Sequence, residues 1–119
     1  MRNSALRDRL LTAAEDDWVG VWEIASMAAS VGGATASDDV LSSVLDVLKD
    51  TQEQGLIEIG DITDEGFKSW GLSADDACRR IANEWRRFPG GPRLGDISCW
   101  INLTNKGMES RSSQSRQLF

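Results

Sequence analysis

The sequence predicts an α+β domain: three amphipathic helices, then two short strands that pair antiparallel, with a fourth helix inserted between the strands. Three observations predict it. Apolar residues recur at three-and-four spacing through Ser4–Asp16, from about Val21 to Ser30, and from Ser37 towards Gly55. Two later segments, beginning at Leu56 and Ile97, are short and β-branched. Between them a serine-led apolar stripe ends in Pro89-Gly90-Gly91-Pro92. A helix repeats its buried face every three to four residues and a strand every two, so the period separates them.

In the first segment Leu6, Leu10, Leu11 and Ala14 share a helical face behind Ser4 as N-cap. Asp16-Asp17-Trp18-Val19-Gly20 interrupts it, with Trp18 expected to staple the link. The second helix sets Trp22, Ala25 and Ala28 on one side and stops at Val31-Gly32-Gly33-Ala34, because adjacent glycines favour a turn. Ser37-Asp38-Asp39 joins a capping oxygen to negative charge at the positive end of the third helix. Val40, Leu41, Val44, Leu45, Val47 and Leu48 form its stripe, and Gly55 stands where a C-terminal cap belongs. Leu56 to Ile62 then reads as a strand, and Ile97, Cys99, Ile101 and Leu103 alternate through a second.

The insert covers residues 67–95. Its helix starts at the pair Ser73 and Asp76 and buries Ala77, Cys78, Ile81, Ala82, Trp85 and Phe88. The Pro-Gly-Gly-Pro run stops it, since proline lacks the amide hydrogen a helix needs. Thr104–Glu109 forms a last helical turn, which closes a domain of residues 1–109. The tail 110–119, rich in Ser, Arg and Gln, has little to bury and is expected to be disordered.

The chain has 119 residues, 40% of them hydrophobic, enough for one core without metals or cross-links. It has no apolar run of the ~18 residues a membrane span needs. Charges at Arg2, Arg7, Asp8 and Arg9 leave no room for a secretory signal, so a cytoplasmic protein is expected. Cys78 and Cys99, isolated and without histidine, read as small buried hydrophobes, with a bridge between them left open. The absence of histidine and tyrosine removes the commonest general base and metal ligand. No glycine loop is followed by the lysine of a phosphate cradle, and no cysteines have zinc spacing. The pairs Asp16-Asp17, Asp38-Asp39 and Asp75-Asp76 are adjacent, which rarely lets side chains converge on one ion, and two of them sit at helix starts. Neither an active site nor a metal or cofactor is expected.

Three helices followed by a two-stranded ribbon is the order of a winged helix-turn-helix, and the likeness rests on quotable residues. Val21-Trp22-Glu23-Ile24-Ala25 resembles its second helix. Val44-Leu45-Asp46-Val47-Leu48 through Gln54-Gly55-Leu56-Ile57-Glu58 resembles a third helix entering the first wing strand. Ile101-Asn102-Leu103-Thr104-Asn105-Lys106-Gly107 resembles the LT-x-KG ending of many such domains. These cover residues 4–66 and 96–109. In size and acidity the chain is also similar to immunity proteins of toxin systems, and with its insert to small bacterial proteins of the winged type. The resemblance implies a fold and leaves function to the site.

Charge supplies the functional clue. The formal net charge is −6, yet residues 1–66 hold four basic and fourteen acidic residues, and residues 67–119 nine and five. Winged helices that read DNA place the third helix in the major groove, where Lys and Arg neutralise phosphates. Here that helix carries Asp38, Asp39, Asp46, Asp50 and Glu53 against Lys49, and the next strand adds Glu58 and Asp61. These carboxylates form the candidate site for a basic protein partner, an inhibitor of the immunity or antitoxin type covering a nuclease-like toxin. A solvated face that only aids solubility is the other reading of the same residues. Arg79, Arg80, Arg86 and Arg87 on the insert are the candidate nucleic-acid contacts of the alternative, a winged-helix transcription regulator; a solvated polar side is the plainer account of them. Trp100, out of phase with Ile97, Cys99 and Ile101, is expected on the far side of the ribbon, either packed under the insert or as an interface anchor. Monomer and homodimer both remain open.

Overall fold

Leu6, Leu10, Leu11 and Ala14, spaced to share one helical face, are the buried side of α1 (Ser4–Asp16). The structure is a computed structural model and describes residues 4–32, 37–88 and 97–110. A two-residue strand β1 (Val19–Gly20) leads directly into α2 (Val21–Gly32). Glu23 closes that junction by accepting the Gly20 N–H at 2.7 Å, so one carboxylate satisfies an amide at the helix start. The glycine stop after Val31 lies partly outside the described residues.

α3 (Ser37–Glu53) begins at the expected serine. It ends in a Schellman arrangement: Gly55 has φ +76°, its N–H donates to the Gln52 carbonyl, and the Leu56 N–H donates to that of Thr51. Val40, Leu41, Val44, Val47 and Leu48 are buried, together with Thr51, whose hydroxyl donates to the Val47 carbonyl at 2.6 Å.

The sheet is larger than the ribbon expected from sequence. It has four antiparallel strands in the order β1-β4-β2-β3: β2 is Ile57–Thr63, β3 is Gly66–Ser69 and β4 is Trp100–Leu103. β3 occupies the start of the expected insert. A tight turn at Asp64-Glu65 folds it back on β2, and the Thr63 hydroxyl accepts from the Glu65 N–H and donates to the Gly66 carbonyl. β1 joins through Val19 opposite Ile101 and Gly20 opposite Trp100. Sequence alternation starts the second long strand at Ile97; Ile97 and Cys99 are buried, but the strand itself starts at Trp100. Val19, Ile57, Ile59, Ile101 and Leu103 form the inward face against the helices.

α4 (Ala74–Trp85) lies between β3 and β4 in the chain. Ser73 caps it by accepting the Asp76 N–H at 3.1 Å, as its serine-led start predicts. Ala77, Ile81 and Trp85 enter the same core as the other helices, so α4 is an integral part of the domain. The Pro89–Pro92 stop and the tail beyond residue 110 lie outside the described residues. A short helix over 105–110 is capped by Thr104, whose hydroxyl accepts from the Gly107 N–H and donates to the Gly55 carbonyl. Among the described residues no helix is long and apolar enough to cross a membrane.

Candidate protein-binding face

α3 is enclosed on two sides. Val40, Val44, Val47 and Thr51 point to the core. The neighbouring flank, which includes Leu45 and Gln52, runs along α4: the Cys78 thiol donates to the Leu45 carbonyl at 3.7 Å, the Lys49 ammonium stands 3.1 Å from Asp75, and the Gln52 amide donates to the Leu72 carbonyl at 2.9 Å. As residue numbers fall along α3 they rise along α4, so the two helices are antiparallel. The arc left to solvent holds Asp39, Ser42, Asp46, Lys49, Asp50 and Glu53.

Of the predicted acidic residues, Asp39, Asp46 and Glu53 fall on one ridge at seven-residue spacing, and none forms an ion pair with a described residue. Asp50 is at the edge of this arc and is engaged: it accepts from the Gln54 amide at 2.9 Å and stands 3.8 Å from Arg7 of α1. The side chain of Asp38 lies outside the described residues. Glu58 is not part of the ridge. It is on the outward face of the sheet and accepts from Asn102, its cross-strand partner, at 3.4 Å. Asp61, half-buried on β2, accepts from the Ser98 hydroxyl at 2.9 Å.

Trp100 is half-buried on the same outward face as Glu58. Its ring meets Trp22 of α2 edge-to-face, with centroids 4.9 Å apart at 84°. Both cross-strand partners of Trp100 are glycines, Gly20 and Gly60. A side chain at Gly20 would collide with the Trp22 ring, so the missing Cβ is what lets that ring fold back over β1. Trp22 is thus half-buried, packed against the main core and edge-to-face with Trp100. Trp18, expected to staple the α1–α2 link, is 39% exposed.

The four arginines, Arg79 and Arg80 on α4 and Arg86 and Arg87 just past its end, are all exposed but differently occupied. Arg79 pairs with Asp76 at 3.3 Å and Arg87 with Glu84 at 3.8 Å, each three residues apart in the chain. Arg80 stacks over the Trp70 ring at 3.9 Å. Arg86 has no ion pair with a described residue. Exposed pairs of this kind are worth little, about 0.2–1 kcal/mol, and leave the cations available to a partner.

Cys78 and Cys99 are free thiols. Burial raises the pKa of both, that of Cys99 to about 12, so neither is a ready nucleophile. The Asp75 carboxylate, by hydrogen bond and charge, holds the Lys49 pKa above its usual value. One feature has no signal in the sequence: an open groove of about 620 Å³ between α1 and α2, with Ala13 and Met27 among Asp8, Asp16 and Glu23. It depends on how two helices cross, which neither helix's own period encodes. Comparison with protein-family models, curated proteins and solved structures finds no match to the chain.

Proposed function

We propose that this chain is a non-catalytic protein-binding module on a winged-helix frame, whose acidic α3 ridge receives a basic partner. In its most concrete form it is an inhibitor of the immunity or antitoxin type that covers the cationic site of a nuclease-like protein. The frame is supported by the order α1-β1-α2-α3-β2, completed after β3 and α4 by β4, which lies between β1 and β2 in the sheet. The single observation that carries the function is the state of α3. The helix that a DNA-reading winged helix inserts in the groove has α4 along one flank and Asp39, Asp46 and Glu53 on its open arc.

A phosphate backbone meeting those carboxylates is repelled, and salt screens the repulsion only partly. A cationic protein surface is drawn to the same ridge, with association steered by charge and no chemistry required of this chain. The other reading is a transcription regulator using Arg79, Arg80, Arg86 and Arg87, favoured by their common exposed side. It ranks second because the carboxylates Asp75, Asp76 and Glu84 stand among those arginines and add negative charge to the same surface.

The test pairs two measurements. In a gel shift with random-sequence duplex at low salt, the wild-type chain is expected to leave the DNA unshifted; tight, salt-sensitive binding would put the regulator first. A basic protein captured from the native host should be lost from the Asp39→Ala/Asp46→Ala/Glu53→Ala variant and kept by Glu58→Ala. Equal capture by both variants would sink the assignment to α3.

A further inference from the structure

The acidic ridge of α3 has a counterpart beside it. Asp39, Asp46 and Glu53 repeat every seven residues, and so do two exposed arginines, Arg79 on α4 and Arg86, whose helical backbone caps the C-terminal end of α4. Seven residues make close to two helical turns, so each set stays on one ridge. The contacts between the helices fix their relative level: Lys49 meets Asp75 and Leu45 meets Cys78, while Gln52 meets Leu72 just before α4. Continuing this antiparallel register brings Asp46 level with Arg79 and Asp39 level with Arg86. Neither pair is joined by an ion pair within the chain; Arg79 keeps only its exposed pair with Asp76, which a carboxylate of another copy can replace at little cost.

We infer that this double ridge is self-complementary and that a second copy of the chain docks on it. A two-fold axis parallel to the helices and midway between them turns the acidic ridge of one copy onto the basic ridge of the other. Because the charges are level, Asp46 then faces Arg79 of the second copy and Asp39 faces Arg86, and symmetry repeats both contacts. An interface in which the same patch serves both copies is the usual form of a homodimer. This rests on the reading of α3 as a face for basic surfaces and names one such surface, α4 of another copy. The contact is polar and exposed, so the dimer is weak, is dissolved by salt, and gives way to a more cationic partner.

Sedimentation equilibrium of the full chain is the test. At low salt the average mass should climb with concentration towards twice that of one chain, and it should return to one chain at about 0.5 M salt, where screening is nearly complete within a few ångströms. Asp39→Arg/Asp46→Arg and Arg79→Glu/Arg86→Glu should each be monomeric alone, while their equimolar mixture should form a heterodimer tighter than the wild type. Where charge reversal disturbs the circular dichroism of the helices, Asp39→Asn/Asp46→Asn and Arg79→Gln/Arg86→Gln replace them, and both should still lose the dimer. A wild type that stays monomeric at millimolar concentration in low salt would overturn the inference, as would a mixture that fails to associate. Fluorescence anisotropy with a labelled nona-arginine peptide reads the acidic ridge separately. Lost affinity in Asp39→Arg/Asp46→Arg without any dimer would remove only the pairing of copies; unchanged affinity would remove the reading of α3 itself.

Discussion

Cys99 has no group beside it that strongly favours a thiolate. Burial dominates and the nearby Asp61 charge adds to it, while Arg80 opposes only in part, so the pKa rises from 9.0 to about 12. A raised pKa on an acid means that folding favours its protonated form. The associated stability is complete below the unfolded value and is lost as pH climbs through the folded one. Wild-type unfolding free energy should therefore fall between pH 9.0 and about 12, by about 2 kcal/mol at roughly pH 10.5. Cys99→Ala should remove that part of the slope while lowering stability at neutral pH, through the cavity it leaves. Urea unfolding of both proteins at two pH values checks this, and parallel slopes would mean that the thiolate finds water. Thr104 and Gly107 account for the LT-x-KG ending in similar terms. The threonine hydroxyl bridges the Gly55 carbonyl to the start of the last helix, and a Cβ at Gly107 would run into the Leu56 carbonyl.

Among the elements, α4 decides whether the chain is a three-helix domain with an appendage or one cooperative unit. Trp85 is 4% exposed and shares the core with residues of α1 to α3. Truncation of such a ring costs about 3–5 kcal/mol, a large part of the 5–15 kcal/mol that a domain commonly has. Trp85→Ala should therefore lower the midpoint of one single thermal transition. A second, separate transition would show instead that α4 melts on its own. The helices are largely legible because each carries its own signals: Ser37 begins α3, Gly55 ends it, and Ser73 with Asp76 begins α4. β1 is not, because two residues have no period and Val19-Gly20 is a strand only by virtue of its pairing with β4. β3 escapes the periodicity reading although its signal is present: Asp64-Glu65-Gly66 after a β-branched run is a hairpin connection, and the residues after it read as insert only if that turn is overlooked.

For the molecule as a whole, the distribution of charge is legible and its tertiary use is not. Seven-residue spacing in the sequence already places Asp39, Asp46 and Glu53 together, and the structure keeps them on one open arc. Alternation with Ile57 and Ile59 already turns Glu58 to the outward face of the sheet, away from the ridge, but nothing local to Asp50 reveals that Arg7 will engage it. That α4 flanks α3 is equally invisible, and it gives the proposed exclusion of DNA from α3 two separable grounds: like charge and a blocked approach. Asp39→Lys/Asp46→Lys/Glu53→Lys distinguishes them, because it raises the net charge from −6 to about zero and leaves the contacts with α4 in place. If charge alone excludes the polyanion, this variant should gain binding to random duplex at low salt. The logarithm of its affinity should fall with the logarithm of salt at a slope of up to about −2.7, three phosphates at about −0.9 each. If the flank of α4 decides, the variant should remain as unbound as the wild type, and Lys and Arg substitutions elsewhere on α3 should do no better. A gel shift across a salt series separates the two outcomes. Either leaves the wild-type acidic ridge free for a protein surface, which can adapt its shape around α4 as a regular duplex cannot.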